Sequence, residues 1–397
     1  MGCGICQDAC PSNCIKIVHG SKSIRPVIDS NRCIECGICA QTCPGRGLKL
    51  KNFASQLYNV EQDRYIGPYY KSYTGWSCDD TIRFHSASGG VVTQFLLYLL
   101  RQKYMDGVAV VGFDDKNKML SHSYIARTEN DIINARSSKY CTTSIEGIAT
   151  EIKNNPGRYI IVGLPCHIQA FRLFEEKFKV VKDSIVGHFS IYCSLNKINI
   201  STKYYCNRYK VPYEQIRKFS YRDDGCMGYM KFECYDESEK KIPYIHYWLG
   251  THSFFVNKRC LLCNDHFGEL ADISFGDINI APYNVDKIGI TSIVTKTPFW
   301  DNILTNAAND GYIELHDLPK DVLLSSQKYV IIHKKGAGIS AMRNIRRWFG
   351  LKNPIHDDQI QKATFKMYIK QFASLLMMEV GKRPYLWFII KILDRYK

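Results

Sequence analysis

The sequence has no apolar run long enough to span a membrane. Its longest apolar stretch near the end, residues 385–390, falls far short of the roughly 20 residues that a spanning helix needs. The opening MGCGICQDAC lacks the apolar region of a secretory signal. Cysteine accounts for 17 of 397 residues, below the roughly 8 to 10% of small disulfide scaffolds, and the number is odd. We therefore expect a soluble, cytoplasmic protein whose cysteines bind metal.

Length and composition indicate a folded chain of several domains. With 397 residues, of which 45% are hydrophobic, the chain exceeds what one core usually serves and is not disordered. There are 53 Lys and Arg against 38 Asp and Glu, a formal charge of +15. Residues 320–397 hold 16 basic and 5 acidic side chains, or +11, which leaves 37 minus 33, or +4, for the rest. Most of the excess positive charge therefore lies in the tail, which could bind an anionic partner.

A cysteine run near the start is the strongest motif. Residues 33–44 read CIECGICAQTCP, in which Cys33, Cys36, Cys39 and Cys43 are followed by proline. Three such thiolates on a tight loop bind one four-iron cluster, while the fourth reaches a neighbouring cluster. Zinc is the alternative, but zinc sites use paired CxxC knuckles rather than four cysteines closed by a proline. The run therefore predicts iron-sulfur clusters.

A partial copy of the run precedes it. CGICQDACP places Cys3, Cys6 and Cys10 before a proline, so in register the first cysteine would lie one residue before Met1. We expect the sequence to be clipped or its start to be assigned late. Cys14 either supplies the missing ligand, or the first cluster is a three-iron or labile one.

Swapped ligation divides these cysteines between two clusters. One complete set is Cys33, Cys36, Cys39 and Cys10, and an incomplete set is Cys3, Cys6 and Cys43. Between the runs, IKIVHG and SIRPVID are typical of two short strands. Residues 1–52 thus resemble a small bacterial-type ferredoxin with two [4Fe-4S] clusters. Because the chain continues far beyond it, we expect the ferredoxin domain to carry electrons to or from the remainder.

A glycine-rich turn opens the body of the chain. FHSASGGVV leads into an apolar helix and then the buried strand VAVVG. Gly89 and Gly90 allow close approach of a phosphate or a flavin, and the helix would direct its free N–H groups at that ligand. The alternative is an ordinary tight turn in which Ser88 caps the helix.

Alternation of strands and helices continues downstream. Thr143 and Glu146 have the spacing of a capping box, which predicts that a helix begins there. RYIIVG then predicts a buried strand, and LPCHIQAFRLFEEKF predicts a second helix. This alternation predicts an α/β layer. Cys166 then lies where a strand ends and a helix begins, a position that favours a thiolate.

Three roles compete for Cys166: nucleophile, structural thiol and metal ligand. Cys193 follows another predicted strand, and Cys260 and Cys263 form a CxxC, so four cysteines are available for one site. On spacing alone the site could be iron-sulfur, zinc or a chance grouping. The remaining thiols are interpreted as buried or incidental; they are Cys78, Cys141, Cys206, Cys226 and Cys234.

Taken in order, the motifs resemble one family. SASGGVVTQFLLYLL with DGVAVV, then SSKY, GLPCHIQA, YCS and CLLCNDHFGELADISFGD, are similar to the coenzyme F420 hydrogenase/dehydrogenase beta-subunit family. The resemblance covers about residues 1–320. With the ferredoxin segment in front, the chain is similar to the members of this family that serve as the electron-input subunit of F420H2 dehydrogenase.

The resemblance implies cofactors and their sites. It implies FAD between an N-terminal module (53–150) and a C-terminal module (151–320), and a third [4Fe-4S] cluster on the four body cysteines. A flavin or substrate cleft is implied for the turn and the SSKY motif, without any catalytic side chain. The matching residues are Ser86, Ser88, Gly89, Gly90, Thr93, Ser138 and Lys139. The acidic residues of the CxxC region, Asp265, Glu269, Asp272 and Asp277, are interpreted as holding the loop rather than as catalytic.

Overall, the sequence predicts an α+β and α/β chain: a ferredoxin domain, a two-module mixed α/β flavoprotein body and a helical basic tail. The first functional hypothesis is an oxidoreductase that passes electrons between coenzyme F420 and a redox partner protein through FAD and clusters. The second is a ferredoxin-dependent FAD and iron-sulfur reductase of another small molecule. The third is a non-catalytic electron-transfer subunit of a larger complex.

The basic tail, residues 321–397, lies outside the resemblance. Phe365, Ile369, Phe372 and Leu376 stand at helical spacing, and a second apolar segment with Trp387 and Phe388 follows a proline. This tail either lies on an anionic membrane surface or a partner, or forms a helix pair packed on the body. Nucleic acid is not expected, because no binding module accompanies the charge.

Overall fold

The computed structural model describes residues 2–113, 120–357 and 361–393. It confirms the predicted mixture of a small α+β domain and a larger α/β body. In the described part, no helix combines the length and apolar character needed to cross a membrane.

The N-terminal segment folds as the predicted ferredoxin-like unit. Its two strands pair antiparallel, with Ile15 opposite Ile28. Each cysteine run contains a single helical turn, and the two turns pack together. A longer helix then leads away from the unit. The elements are α1 (Ile5–Asp8), β1 (Ile15–His19), β2 (Ile24–Ile28), α2 (Ile38–Gln41) and α3 (Leu50–Leu57).

The first part of the body begins with a short hairpin and continues into the main sheet. The predicted apolar helix and the VAVVG strand are both present. The elements are β3 (Glu61–Asp63), β4 (Gly67–Tyr69), β5 (Lys71–Ser77), α4 (Asp80–Phe84), α5 (Val91–Arg101), β6 (Gly107–Phe113), β7 (Ser121–Ala126) and α6 (Glu129–Asn134).

The second part alternates helices and strands and contains a small antiparallel sheet. The first elements are α7 (Ile148–Asn154), β8 (Tyr159–Gly163), α8 (Pro165–Glu175), α9 (Lys179–Ser184), β9 (Ile185–Ile191), α10 (Ile200–Tyr209), β10 (Ile216–Asp223), β11 (Tyr229–Cys234), β12 (Glu239–Pro243) and α11 (Tyr244–Gly250). The body closes with β13 (Ile273–Asp277), β14 (Thr291–Thr295), α12 (Pro298–Asn309) and β15 (Ile313–Asp317).

One mixed sheet unites the body, so the two predicted modules share a core. Its strand order is β15-β5-β14-β13-β9-β8-β6-β7, with β6, β8, β9 and β13 parallel. Ile160 of β8 packs with α5 and α12 on one face, and Ile161 packs with α7, α8 and the ferredoxin unit on the other. This alternation follows from the two-residue period of a strand. The ferredoxin unit is thereby held against one face of the sheet.

The tail is helical, as predicted, and part of it packs on the body. Trp387 and Ile390 are buried in the aromatic core of the small sheet, and Trp387 donates its indole N–H to Gly381 O at 2.9 Å. Residues 394–397 lie outside the described part. The helices are α13 (Lys320–Lys334), α14 (Ala337–Trp348), α15 (Phe365–Gly381) and α16 (Trp387–Leu393).

Two predicted helix caps are wrong. Helix α5 begins after Gly90 in the left-handed region, and Ser88 donates to Ile290 O at 2.7 Å instead of capping it. Helix α7 begins after Gly147, so Thr143 and Glu146 form no capping box. In both cases the residues serve a tertiary contact that local spacing does not reveal.

Candidate functional site

The four body cysteines come together at one end of the sheet. Cys166 opens α8 directly after β8, and Cys193 follows β9, the parallel neighbour of β8. Cys260 and Cys263 lie on and just after a 3-10 turn at Lys258–Leu262. Because parallel strands end at the same edge of a sheet, residues distant in sequence meet there. All four line a single cavity, which we call the quartet cavity.

The thiols of the quartet fit a metal-bound state. Burial, followed by the neighbouring thiols, raises the pKa of Cys166 well above its usual value, and burial raises the pKa of Cys193 to about 12. As free thiols, Cys166 and Cys193 stay protonated, so a bound metal has to drive their ionisation. The Asn196 backbone N–H donates to Cys260 Sγ at 3.3 Å, a contact typical of cluster ligands. Four converging sulfurs fit a [4Fe-4S] cluster.

His167 does not activate Cys166 as a base would. Burial lowers the pKa of His167 to about 4, and its Nδ1 has no hydrogen-bond partner among the described residues. A nucleophilic cysteine needs a base within hydrogen-bond reach. The geometry therefore favours the ligand role over the nucleophile role for Cys166.

The acidic residues beside the CxxC hold the loop, as interpreted from the sequence. The Asp265 carboxylate accepts from the backbone N–H groups of Gly268 and Glu269 at 2.8 and 3.1 Å. Asp272 accepts from the His188 N–H at 2.7 Å and contacts Arg172 at 3.3 Å. Two further ion pairs complete the support, Glu269 with Lys335 and Asp277 with Arg222.

The first ferredoxin cysteine group consists of Cys3, Cys6 and Cys43. Burial, then the thiols of Cys3 and Cys43, raise the pKa of Cys6 to about 12. Cys3 also lies near the quartet, because its thiol contributes to the raised pKa of Cys166. The Cys43 thiol therefore lies near Cys3 and Cys6, while its swapped ligation stays a prediction.

The second group gathers around Cys39. Burial, then the thiols of Cys10, Cys36 and Cys33, raise the pKa of Cys39. Cys14 belongs here as well, with its Sγ 3.4 Å from Cys10 Sγ. This placement puts Cys14 beside Cys10 of the second group rather than beside the first group, which it was expected to complete.

The five remaining cysteines differ in exposure. Those of the body cores, Cys141, Cys206 and Cys234, are buried as expected. Cys226 is half-buried and Cys78 is exposed. Cys78 is thus an incidental surface thiol, one of the two alternatives interpreted from the sequence.

The glycine-rich turn lies close against the sheet. The Gly89 N–H donates to Thr291 Oγ1 at 3.0 Å, and a Cβ at Gly89 would lie 2.6 Å from Gly75 O. Ser86 donates to Ile82 O at 2.7 Å, and Thr93 is buried on α5. The glycines thus serve the close approach of two backbone segments, while the flavin role of this turn stays a prediction.

A cationic cleft of about 490 Å³ lies beside the turn. This volume is in the range of cofactor sites. Ser138 and Lys139 line it, and the flavin or substrate role that the family resemblance implies for them stays a prediction. Lys139 donates to Ala135 O, Arg136 O and Ser137 O, and burial lowers its pKa to about 7. The other lining groups include the cations Arg136, Arg217 and Lys218 and the aromatic rings of Phe113, Phe219 and Tyr221.

Sequence reasoning missed a histidine-aspartate pair at this cleft. His85 Nδ1 lies 2.7 Å from Asp223 Oδ1, and both residues line the cleft. Such a pair can exchange a proton with a bound ligand. Asp224 lies nearby but pairs with Lys241 at 2.6 Å, which already neutralises it. Only the position of His85 beside the glycine-rich turn could have signalled it.

A stretch without helix or strand, residues 138–145, connects the cleft with the quartet; we call it the bridging segment. Lys139 lines the cleft and Thr142 lines the quartet cavity. Three residues of extended chain span at most about 11 Å. The cleft and the quartet are therefore close neighbours.

The same segment contacts the first ferredoxin group. Ile145 N–H and Ser144 Oγ both donate to Cys3 O, at 2.7 and 3.2 Å. A second contact joins the two sites, since Arg259, beside Cys260, donates to Pro44 O at 3.3 Å. The ferredoxin unit is thus held directly against the quartet.

Comparison with protein families identifies both the body and the amino-terminal segment. Two family models match the body, and they describe the N-terminal and C-terminal parts of the coenzyme F420 hydrogenase/dehydrogenase beta subunit. The N-terminal model matches residues 72–148, and the C-terminal model matches residues 157–321. Residues 1–46 match a "4Fe-4S dicluster domain".

Two individual relatives are named for coenzyme F420. The chain is 23% identical to the coenzyme F420 hydrogenase subunit beta of Methanosarcina barkeri, over 74% of this chain and 99% of that protein. It is 23% identical to the coenzyme F420-dependent sulfite reductase of Methanocaldococcus jannaschii over 58% of this chain, and spans only 36% of that protein's length.

A solved structure shows the same fold. A subunit of the F420-reducing [NiFe] hydrogenase complex from Methanosarcina barkeri superposes with a TM-score of 0.59 at 21% identity, covering 74% of this chain and 99% of that chain. Both modules are matched in order, and the dicluster domain precedes them. The chain therefore belongs to the coenzyme F420 hydrogenase/dehydrogenase beta-subunit family and carries an iron-sulfur dicluster domain at its amino end.

Proposed function

We propose that this chain is an iron-sulfur flavoprotein oxidoreductase that transfers electrons between coenzyme F420, bound as substrate at the cationic cleft, and a redox partner protein. Relatives named for F420 hydrogenase and F420-dependent sulfite reductase support the choice of substrate. When bound, FAD exchanges a hydride with a deazaflavin and single electrons with clusters. The protein's part is to hold these groups close together.

The bridging segment is the observation that carries the proposal. Within eight residues it lines the cleft, lines the quartet cavity and hydrogen-bonds the backbone of Cys3. The order of sites along the electron route is then the cleft, the quartet, the first ferredoxin group and the second group. The second group includes the exposed Cys36, which suits it to meet a redox partner.

The chemistry of the cleft supports an anionic, ring-bearing ligand. Positive charge comes from Arg136, Arg217 and Lys218. Glu233 neutralises part of it, because its carboxylate lies 3.4 Å from the Arg217 guanidinium and 3.7 Å from the Lys218 ammonium. Guanidinium groups bind phosphate and carboxylate oxygens through charge-assisted hydrogen bonds. Phe219 and Tyr221 offer apolar surface for a ring system. FAD and F420 share this combination of anionic groups and a flat ring.

The test is anaerobic purification with iron, acid-labile sulfide and flavin measured on the same sample, followed by titration with F420H2. We expect iron for three clusters, one FAD and bleaching of the flavin on addition of F420H2. Arg136→Gln should weaken binding of FAD or F420 by about tenfold, the cost of one charge-assisted contact. Arg64→Gln, an exposed arginine outside the cleft, is the matched control.

The outcomes separate the competing hypotheses. A bound flavin that F420H2 does not bleach, but that reduced ferredoxin does, would replace F420 by another small molecule. A chain with clusters and no flavin would be an electron-transfer subunit of a larger complex; the hydrogenase relative is itself named as a subunit. Loss of both flavin and clusters would refute the proposal.

We further propose that the tail contacts an anionic membrane surface. Phe365, Ile369, Phe372 and Leu376 form one face of α15, which we call the tail face, and all four are exposed, Phe365 at 79%. Lys366 and Lys370 on the same helix are exposed too. An apolar face flanked by cations suits the headgroup region of an anionic bilayer.

Neighbouring helices extend this apolar surface. Trp348, at the end of α14, stacks on Tyr368 with ring centroids 5.1 Å apart, and Lys370 donates to the hydroxyl of Tyr329 on α13 at 3.2 Å. Trp348 and Tyr329 are both 62% exposed. A contiguous apolar patch of this kind marks a contact surface.

Vesicle flotation tests the membrane proposal. The full chain should bind vesicles of phosphatidylcholine with phosphatidylglycerol, and bind pure phosphatidylcholine far less. Phe365→Ser with Ile369→Ser and Leu376→Ser should lower binding at least tenfold, because the apolar contact is lost. Val285→Ser with Phe299→Ser, which removes exposed apolar groups elsewhere, should leave binding unchanged. Equal flotation of both variants would refute the membrane contact.

A further inference from the structure

We propose that Lys334 raises the reduction potential of the cluster at the quartet, an inference that rests on the proposed function of that site. Lys334 is the last residue of α13. It lies beyond residue 321, where the match to the family model ends. A residue of the tail thus completes the surroundings of a site built by the body.

The contacts of Lys334 point at the cluster ligands. Its Nζ lies 3.3 Å from Cys263 Sγ and 2.7 Å from Asp265 O. The side chain lines the quartet cavity, and only 4% of the residue is exposed. Nζ therefore acts as a hydrogen-bond donor to a sulfur ligand from inside the protein.

The charge of Lys334 requires an anionic partner. In the described part of the chain, no carboxylate lies within ion-pair distance of its Nζ. The neighbouring Lys335, by contrast, pairs with Glu269. A buried ammonium without a counter-charge is strongly unfavourable. A cluster with four thiolate ligands is a net anion, so it supplies the missing charge.

The sign of the effect follows from electrostatics. The oxidised cluster gains one electron on reduction, so its negative charge grows while the ammonium stays in place. The attraction is therefore greater in the reduced state, which raises the reduction potential. Hydrogen bonds to the sulfurs act on the potential of such clusters in the same way.

The experiment is an anaerobic redox titration monitored by electron paramagnetic resonance on the full chain. The signal of the quartet cluster is assigned as the one that Cys260→Ala loses. Lys334→Met should lower the ratio of reduced to oxidised cluster at a fixed potential at least tenfold, equal to about 59 mV for one electron. Lys328→Met removes an exposed lysine from the same helix and should leave the potential unchanged.

A second variant guards against loss of the cluster. Lys334→Gln keeps a hydrogen-bond donor without the charge, and it should shift the potential in the same direction while iron content stays at the wild-type value. A quartet signal that is present in either variant with an unchanged midpoint would overturn the role of Lys334. If wild-type protein has no quartet signal and Cys260→Ala loses no iron, the proposed function itself fails instead.

Discussion

The ferredoxin segment and the body quartet assemble cysteine sites in opposite ways. In the ferredoxin segment, eight cysteines lie between Cys3 and Cys43, and the spacing of each run forms the site locally. In the body, four cysteines are spread from Cys166 to Cys263, and the sheet brings them together. The first site depends on loop geometry, while the second depends on the tertiary fold.

This difference has consequences for how each site responds to change. A loop site tolerates alternatives, as the closeness of Cys14 to Cys10 indicates. Among the described residues that line the quartet cavity there is no fifth cysteine. The loop that carries Cys260 and Cys263 is held by hydrogen bonds of the Asp265 and Asp272 carboxylates. We therefore expect the quartet to lose its metal completely when one ligand is removed.

The largest expected effect separates the two regions directly. Cys260→Ala should remove the iron of the quartet cluster and leave the ferredoxin iron, because the two sites share no ligand. Cys36→Ala should remove iron from the second ferredoxin group and leave the quartet intact. Iron and sulfide analysis with electron paramagnetic resonance measures both. Loss of all iron in Cys260→Ala would show that the two sites fold as one unit.

A smaller effect is expected at the paired thiols. Cys14→Ala should keep its full iron content, and Cys10→Ala should lose little, because either sulfur can serve the same corner. The double variant should lose the second cluster. If Cys14→Ala instead lost the iron of the first cluster, Cys14 would be the fourth ligand of that cluster, as expected from the sequence.

Exposure should also distinguish the regions. Cys36 is exposed, whereas no cysteine of the quartet is. Oxidation in air with an iron chelator should therefore bleach the second ferredoxin cluster before the quartet cluster, by severalfold in rate. Loss of both signals at one rate would argue that the quartet is as accessible as the loops.

The smallest effect concerns the bridging segment that joins the regions. Burial lowers the pKa of Lys139 to about 7, against about 10.4 in an unfolded chain. Between these values the unfolded chain binds more protons, so the free energy of unfolding gains up to about 1.4 kcal/mol per pH unit as pH rises. Lys139→Met should remove that gain. The measurement is the free energy of unfolding of the wild-type protein and of Lys139→Met, obtained with denaturant between these two pH values. If the two proteins showed the same dependence of this free energy on pH, the prediction would be contradicted.

Much of the fold was predictable, because its signals are local. The strands Ile15–His19 and Ile24–Ile28 and the helix Pro165–Glu175 follow from hydrophobic period and turn residues. The helix caps predicted at Ser88 and Thr143 are wrong, because Ser88 hydrogen-bonds the distant Ile290 and the second helix begins only after Gly147. Spacing alone carries no information about such contacts.

The site residues also differ in whether local sequence predicts them. The ferredoxin cysteines were predictable from spacing alone, while Cys166 and Cys193 were assigned as ligands only through family resemblance. The pairing of Cys14 with Cys10 and the approach of Lys334 to Cys263 arise from packing between distant segments. The tail was predicted to be helical, but sequence alone could not tell that Phe365 faces outward while Trp387 is buried.

The most direct test follows electrons from F420H2 into the ferredoxin clusters of wild-type protein and of Cys260→Ala, by rapid-freeze electron paramagnetic resonance. If the quartet relays electrons, wild-type protein should show reduced ferredoxin clusters after flavin bleaching. In Cys260→Ala the flavin should still bleach while the ferredoxin clusters stay oxidised on the same time scale. Equal rates of ferredoxin reduction in the two proteins would contradict the account.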